Sequence, residues 1–142
     1  MSILNGMWQL KSMELVNPNG VKCYPHGENP IGCIFYLPNG YMSVHHGCKE
    51  RRNSSVKASI EITSGDEAIE IVKTYMSYYG KYEIKGDTVF HHVEIAMFPN
   101  WKGATEVRHF KINNKELILS TSFELADGKN DFAAYWELVN KL

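Results

Sequence analysis

Two strand-like runs, Ile31 to Leu37 and Tyr41 to Cys48, are separated only by Pro38-Asn39-Gly40. Proline presets the first turn dihedral and glycine accepts the left-handed one, so the chain must double back there as a hairpin. Punctuation of this kind recurs along the chain. Asn17-Pro18-Asn19-Gly20 follows the near-alternate apolar run Trp8 to Leu15, Lys85-Gly86-Asp87 divides Tyr82-Ile84 from Val89 to Met97, and Asn113-Asn114 divides Val107 to Ile112 from Leu117 to Thr121. Phe132 to Val139 supplies a last run. A meander of about eight such strands closes on itself, because closure removes the unpaired edges that invite aggregation. The fold expected is all-β, an antiparallel up-and-down barrel filling one domain over residues 1–142.

One interruption is helical. Ser64 followed by Glu67 matches a capping box, and Ile69, Val72, Met76 and Tyr79 then fall at helical spacing, with Gly80 as the stop. Residues 49–65 are polar and weakly patterned, and Tyr24-Pro25-His26-Gly27-Glu28-Asn29-Pro30 is too rich in Pro and Gly to be regular, so it reads as a rim loop.

Charge excludes several partners. With 15 basic and 16 acidic residues the net charge is -1, which offers no electrostatic footprint for nucleic acid or an anionic membrane. There is no Gly-x-Gly-x-x-Gly, no P-loop and no Gly-x-Ser-x-Gly, so neither a nucleotide cofactor nor a serine nucleophile is indicated, and no cofactor is expected. Cys23, Cys33 and Cys48 are odd in number and lack C-x-x-C spacing, which points to free thiols in a reducing compartment. With neither a signal peptide nor a long apolar stretch visible, a cytoplasmic location is the expectation, and a homodimer is left open.

The combination of Gly6-Met7-Trp8-Gln9-Leu10, Tyr24-Pro25-His26-Gly27-Glu28-Asn29-Pro30-Ile31-Gly32, Pro38-Asn39-Gly40-Tyr41-Met42-Ser43, Gly80-Lys81-Tyr82-Glu83, His91-His92-Val93-Glu94 and Pro99-Asn100-Trp101 resembles the lipocalin-like domain family of small bacterial and fungal proteins. In lipocalin-type barrels the Trp of the opening Gly-x-Trp plugs one end. The resemblance implies an up-and-down barrel with one interrupting helix, a central cavity for a small apolar molecule, and frequent association with secondary metabolism. Related barrels include both carriers and cyclases. His45 and His46, and the tyrosines near the helix end, depart from the family pattern and mark places for ligand specificity.

The chemistry-bearing stretch is residues 91–101. Strand alternation puts His92 and Glu94 on one face and His91, Val93 and Ile95 on the other. If a simple hairpin follows Met97, Glu94 comes near Arg108, and the shared face becomes His92, Glu94, Arg108, Phe110, Leu117 and Leu119. On that register His92, Glu94 and Arg108 form a catalytic acid-base cluster, with Arg108 holding the carboxylate ionised. The opposing set is more apolar and has an equal claim to the lumen, since a one-residue slip exchanges the faces. A metal site wants a third ligand, for which His45, His46 and His109 are candidates without a complete signature. Tyr36, Tyr78 and Tyr82 can donate phenolic hydrogen bonds, and with His46, Phe110 and a capping Trp101 they make up the expected ligand contacts. The function expected is binding of a small apolar or aromatic molecule with acid-base rearrangement, cyclisation or isomerisation of it; the alternative is a non-catalytic carrier.

Overall fold

In the computed structural model, which describes residues 2–55 and 64–142, the strand pattern closes into a barrel. The strands are β1 (Gly6–Val16), β2 (Lys22–Cys23), β3 (Ile31–Tyr36), β4 (Tyr41–Gly47), β5 (Tyr75–Lys85), β6 (Thr88–Ala96), β7 (Thr105–Asn113), β8 (Glu116–Leu125) and β9 (Gly128–Asn140). Each from β3 to β9 pairs antiparallel with the next, and β1 closes the ring by pairing with both β3 and β9. The short β2 lies beyond the ring on the end of β1, Leu15 opposite Cys23, so the Asn17-to-Gly20 turn does form a hairpin. Among the described residues no helix is long and apolar enough to cross a membrane, and the three cysteines are unpaired thiols.

One end of the barrel is sealed. Trp8 is fully buried there and its indole Nε1 donates to the Leu4 carbonyl at 2.8 Å, which satisfies the one polar atom of a large apolar plug. Gly6 precedes it at φ 152, where a side chain would strike Leu138 and the Asn140 carbonyl, so the Gly-x-Trp spacing follows from close packing. Tyr82 joins the seal by donating to Asn5 Oδ1 at 2.7 Å.

The helix α1 (Gly65–Lys73) begins where the capping signal puts it, with the Ser64 hydroxyl accepting from the Glu67 amide, but it ends earlier than expected. Residues Tyr75 to Gly80 are strand, not helix: Tyr75, Tyr78 and Tyr79 have high strand preference, and β4 offers them a partner from Gly47 to Met42. Thr74 forms the helix cap, and Gly80 is the site of a bulge instead of a helix stop.

The register of β6 against β7, with Val89 opposite Arg108, sets which face of β6 looks inward. Val89, His91 and Val93 are buried, whereas His92 is half-exposed and Glu94 is exposed. Between Tyr79 and Gly80 the register of β5 against β6 shifts so that Glu94 is the extra residue, and Ile95 turns outward beside Tyr79. The partner of Arg108 across β6 and β7 is Val89. The expected face therefore holds only in its β7 and β8 part: Arg108, Phe110, Leu117 and Leu119 point inward with His91, and the cluster of His92, Glu94 and Arg108 does not form.

Candidate functional site

The barrel interior is not filled. A cavity of about 360 Å3 lies above the sealed end, walled by Met13, Ile34, Val44, Leu119, Phe132 and Ala134 among others, and it reaches the opposite end of the barrel. There its rim is built from Leu15, Pro25 and His26 of the loop after β2, Val72 and Lys73 of α1, Trp101, and Phe123 and Leu125 of β8. The loop from Tyr24 to Pro30 is thus a rim loop, and Trp101 stands edge-on to both Tyr78 and Phe98 at the mouth. Helix α1 has no buried side chain; it is held over the mouth by Arg51, which donates to the Ile71 carbonyl and the Thr74 hydroxyl, and by the pairing of Arg52 with Glu70.

Below the mouth His91 sits 1 % exposed between two tyrosines, its Nε2 at 2.8 Å from the Tyr36 hydroxyl and its Nδ1 at 2.8 Å from the Tyr78 hydroxyl. Burial, reinforced by the positive charge of Arg108, lowers the His91 pKa to about 3, so the ring is neutral at physiological pH. A neutral imidazole has one donor and one acceptor. Tyr36 is completely enclosed, and among the described residues His91 is the sole partner of its hydroxyl, so Tyr36 donates to Nε2. Nδ1–H then donates to Tyr78, and the Tyr78 proton is left to face the cavity that Tyr78 lines. Burial raises the Tyr78 phenol to about 12 against the opposing influence of Arg108, so it enters any interaction as an O–H.

Arg108 is the other buried polar group of the wall. Its NH1 donates to Glu106 Oε2 at 3.3 Å and to the Val107 carbonyl at 3.0 Å, and its guanidinium carbon lies 5.4 Å from the Phe123 ring centre. Trp136 completes the set: 3 % exposed and lining the cavity, its indole Nε1 has no hydrogen-bond partner among the described residues.

At the rim, Cys48 Sγ lies 3.8 Å from His26 Nδ1 and His26 Nε2 lies 2.9 Å from His46 Nδ1, which runs a polar line from the outer wall into the cavity. Burial and then the nearby charge of His26 lower the His46 pKa to about 3. His45 faces the other way, bonded to Ser43 and Tyr75 on the outer surface. Among the described residues no group of three His, Cys, Asp or Glu side chains is arranged to hold a metal ion.

The lipocalin-like domain model matches residues 5–140. The chain belongs to that family. No curated protein and no solved structure gives a significant match. In lipocalin-like terms the sealed end is the Gly-x-Trp end and the cavity is the barrel's small-molecule space. Of the six expected ligand contacts, the structure puts His46, Tyr78 and Trp101 on that space. Tyr36, Tyr82 and Phe110 lie beneath or behind its surface: Tyr36 packs edge-on to Tyr82, and Phe110 joins the core. Arg108 reaches the cavity, but His92 bonds to Glu83 and Thr105 on the outer wall, remote from it. Of the two faces of β6 with equal claim to the lumen, the structure turns inward that of His91, whose signal is its place between Val89 and Val93, two β-branched residues suited to a lumen. Trp136 was read only as part of the last strand.

Proposed function

We propose that the barrel takes up one small, largely apolar molecule, aromatic in part, and holds it between the Tyr78–His91–Tyr36 floor and the Trp101 mouth. The observation that carries this reading is the cavity itself: its volume is within the ordinary range for small-molecule sites, and an aliphatic and aromatic wall with a few convergent polar groups is what such sites use. The uncharged fluorophore N-phenylnaphthylamine is a suitable probe. It should bind saturably with enhanced emission, and Leu119→Trp, which projects an indole into the empty space, should abolish binding while leaving the far-ultraviolet circular dichroism unchanged. Undiminished binding in that variant would place the probe elsewhere and end the proposal.

A second reading is favoured by the buried Tyr–His–Tyr chain. It makes the bound molecule a substrate for acid-base rearrangement, cyclisation or isomerisation, as opposed to cargo. Tyr78 O–H, polarised by neutral His91 and set near Arg108, is a preorganised donor for an oxygen on which negative charge develops. Native mass spectrometry of protein purified from its own host identifies the retained molecule. With it in hand, Tyr78→Phe separates the readings: an enzyme loses far more turnover than affinity, whereas a carrier only binds more weakly. The free thiols of Cys23, Cys33 and Cys48 suit a reducing compartment, and a cytoplasmic location is part of this reading.

A further inference from the structure

The polar groups deepest in the cavity are donors. Arg108, Tyr78 and Trp136 lie on its wall, His26, His46 and Lys73 nearer its mouth, and among the described residues the lining has no Asp, Glu, Asn or Gln side chain. Two of these groups are incomplete as they stand. Trp136 Nε1 is a buried donor with no acceptor among the described residues, a state that is destabilising unless something else supplies one. Arg108 uses NH1 on Glu106 and Val107, while among the described residues no acceptor meets its Nε or NH2, although the side chain is almost fully buried. Tyr78 adds a hydroxyl proton that His91 does not take up. The deep part of the cavity therefore presents donors, and among the described residues it offers them no carboxylate or amide acceptor.

Charge narrows the acceptor further. Arg108 already has a counter-ion, because Glu106 is held against it with its own side chain only 15 % exposed. The neighbouring imidazoles, His91 and His46, are neutral, so the deep part of the cavity has no net charge to offer. An anionic headgroup would bring an uncompensated negative charge into a desolvated space, which is costly. An uncharged oxygen with two lone pairs would accept from the waiting donors without that penalty.

We infer that the ligand is an uncharged apolar molecule with a carbonyl group, a ketone, lactone or quinone oxygen, received by Arg108, Tyr78 and the Trp136 indole N–H. This rests on the cavity-binding reading above and gives it a substrate class. The flat wall partners Phe123, Phe132 and Trp136 favour conjugation of that carbonyl with a ring.

The test compares three ligands of nearly one shape on the unmodified protein near neutral pH: methyl naphthyl ketone, isopropenylnaphthalene, in which a methylene replaces the oxygen, and naphthoate, all substituted at the same ring position. The ketone should bind about tenfold or more tightly than either of the others, and its infrared carbonyl band should move to lower wavenumber on binding. Tyr78→Phe and Trp136→Phe should each reduce the ketone's advantage over the hydrocarbon. Arg108→Met combined with Glu106→Gln, which leaves no lone buried charge, should remove most of it. Equal affinity for ketone and hydrocarbon overturns the carbonyl inference while leaving the cavity reading in place. Tighter binding of naphthoate overturns it in favour of an acid ligand, and no binding of any of the three overturns it together with the cavity reading.

Discussion

Acid should destabilise this barrel through two imidazoles buried in its wall. His91 and His46 each have a folded-state pKa of about 3, against 6.5 for an unperturbed imidazole. Folding therefore favours their neutral forms. Above about pH 6.5 both states are neutral and the stability is fully present; below it the unfolded chain binds a proton at each site that the folded barrel refuses. Stability then falls by about 1.4 kcal/mol per pH unit for each residue, so the pair removes about 4 kcal/mol by about pH 5. Against a total of about 5–15 kcal/mol for an ordinary domain, that is enough to approach unfolding. Half-buried His26, whose pKa is also lowered by burial and by Arg51, acts in the same direction. The assay is urea unfolding followed by tryptophan fluorescence at a series of pH values. His46→Gln retains a hydrogen-bonding side chain at that position but does not titrate, so its stability should fall less steeply than that of the wild type, by about 1.4 kcal/mol per pH unit below pH 6.5. Parallel curves for the two proteins would refute the reasoning, since they would show that His46 takes up its proton as readily folded as unfolded.

Tyr36→Phe removes the donor to His91 Nε2 and leaves a buried ring nitrogen unpaired, which should cost about 1–3 kcal/mol and lower Tm by roughly 3–10 °C in differential scanning calorimetry. Gly80→Ala would drive a methyl group into the His92 carbonyl where β5 and β6 approach closely, and a loss near the upper end of about 1–3 kcal/mol in chemical denaturation is expected. His92→Ala, by contrast, breaks only a half-exposed pairing with Glu83 and Thr105; its stability should change by less than about 1 kcal/mol and its affinity for N-phenylnaphthylamine not at all.

Turn chemistry made most of the barrel legible. Pro38-Asn39-Gly40, Lys85-Gly86-Asp87 and Asn113-Asn114 each fix a reversal through local dihedral preferences, which do not depend on the rest of the molecule. The helix start was readable for the same reason, because Ser64 caps through its own near neighbours. What escaped was non-local. Met76 and Tyr79 fit a helical repeat as well as a strand, and only β4, lying alongside, selects the strand. The register of β6 against β7, with Val89 opposite Arg108 and His92 opposite Thr105, turns His91 and not His92 to the face of Arg108, while the bulge at Glu94 turns Ile95 outward, off the face of His91. β1 contains the same device at Lys11, which moves the inward positions from Trp8 and Leu10 to Met13 and Leu15. The polar centre was half legible: Arg108 pointed inward as expected, whereas pairing it with a carboxylate from β6 required a β6–β7 register other than the one that sets Val89 opposite Arg108 and His92 opposite Thr105.

Helix α1 covers the mouth without burying a side chain, while the plugged end holds Trp8, Tyr36 and Leu4 at no exposure. The two ends thus differ in how readily they open. A nine-residue helix held through exposed Arg51 and Arg52 and through Glu67 can fray without disturbing the ladder of β1 and β9, so on the cavity-binding reading proposed above the lifetime of a bound molecule would follow a local motion and not unfolding of the barrel. Exchange kinetics and thermodynamic stability then become separable properties of one small chain: substitutions along α1 tune how fast a ligand leaves, and substitutions around Trp8 tune whether the vessel survives.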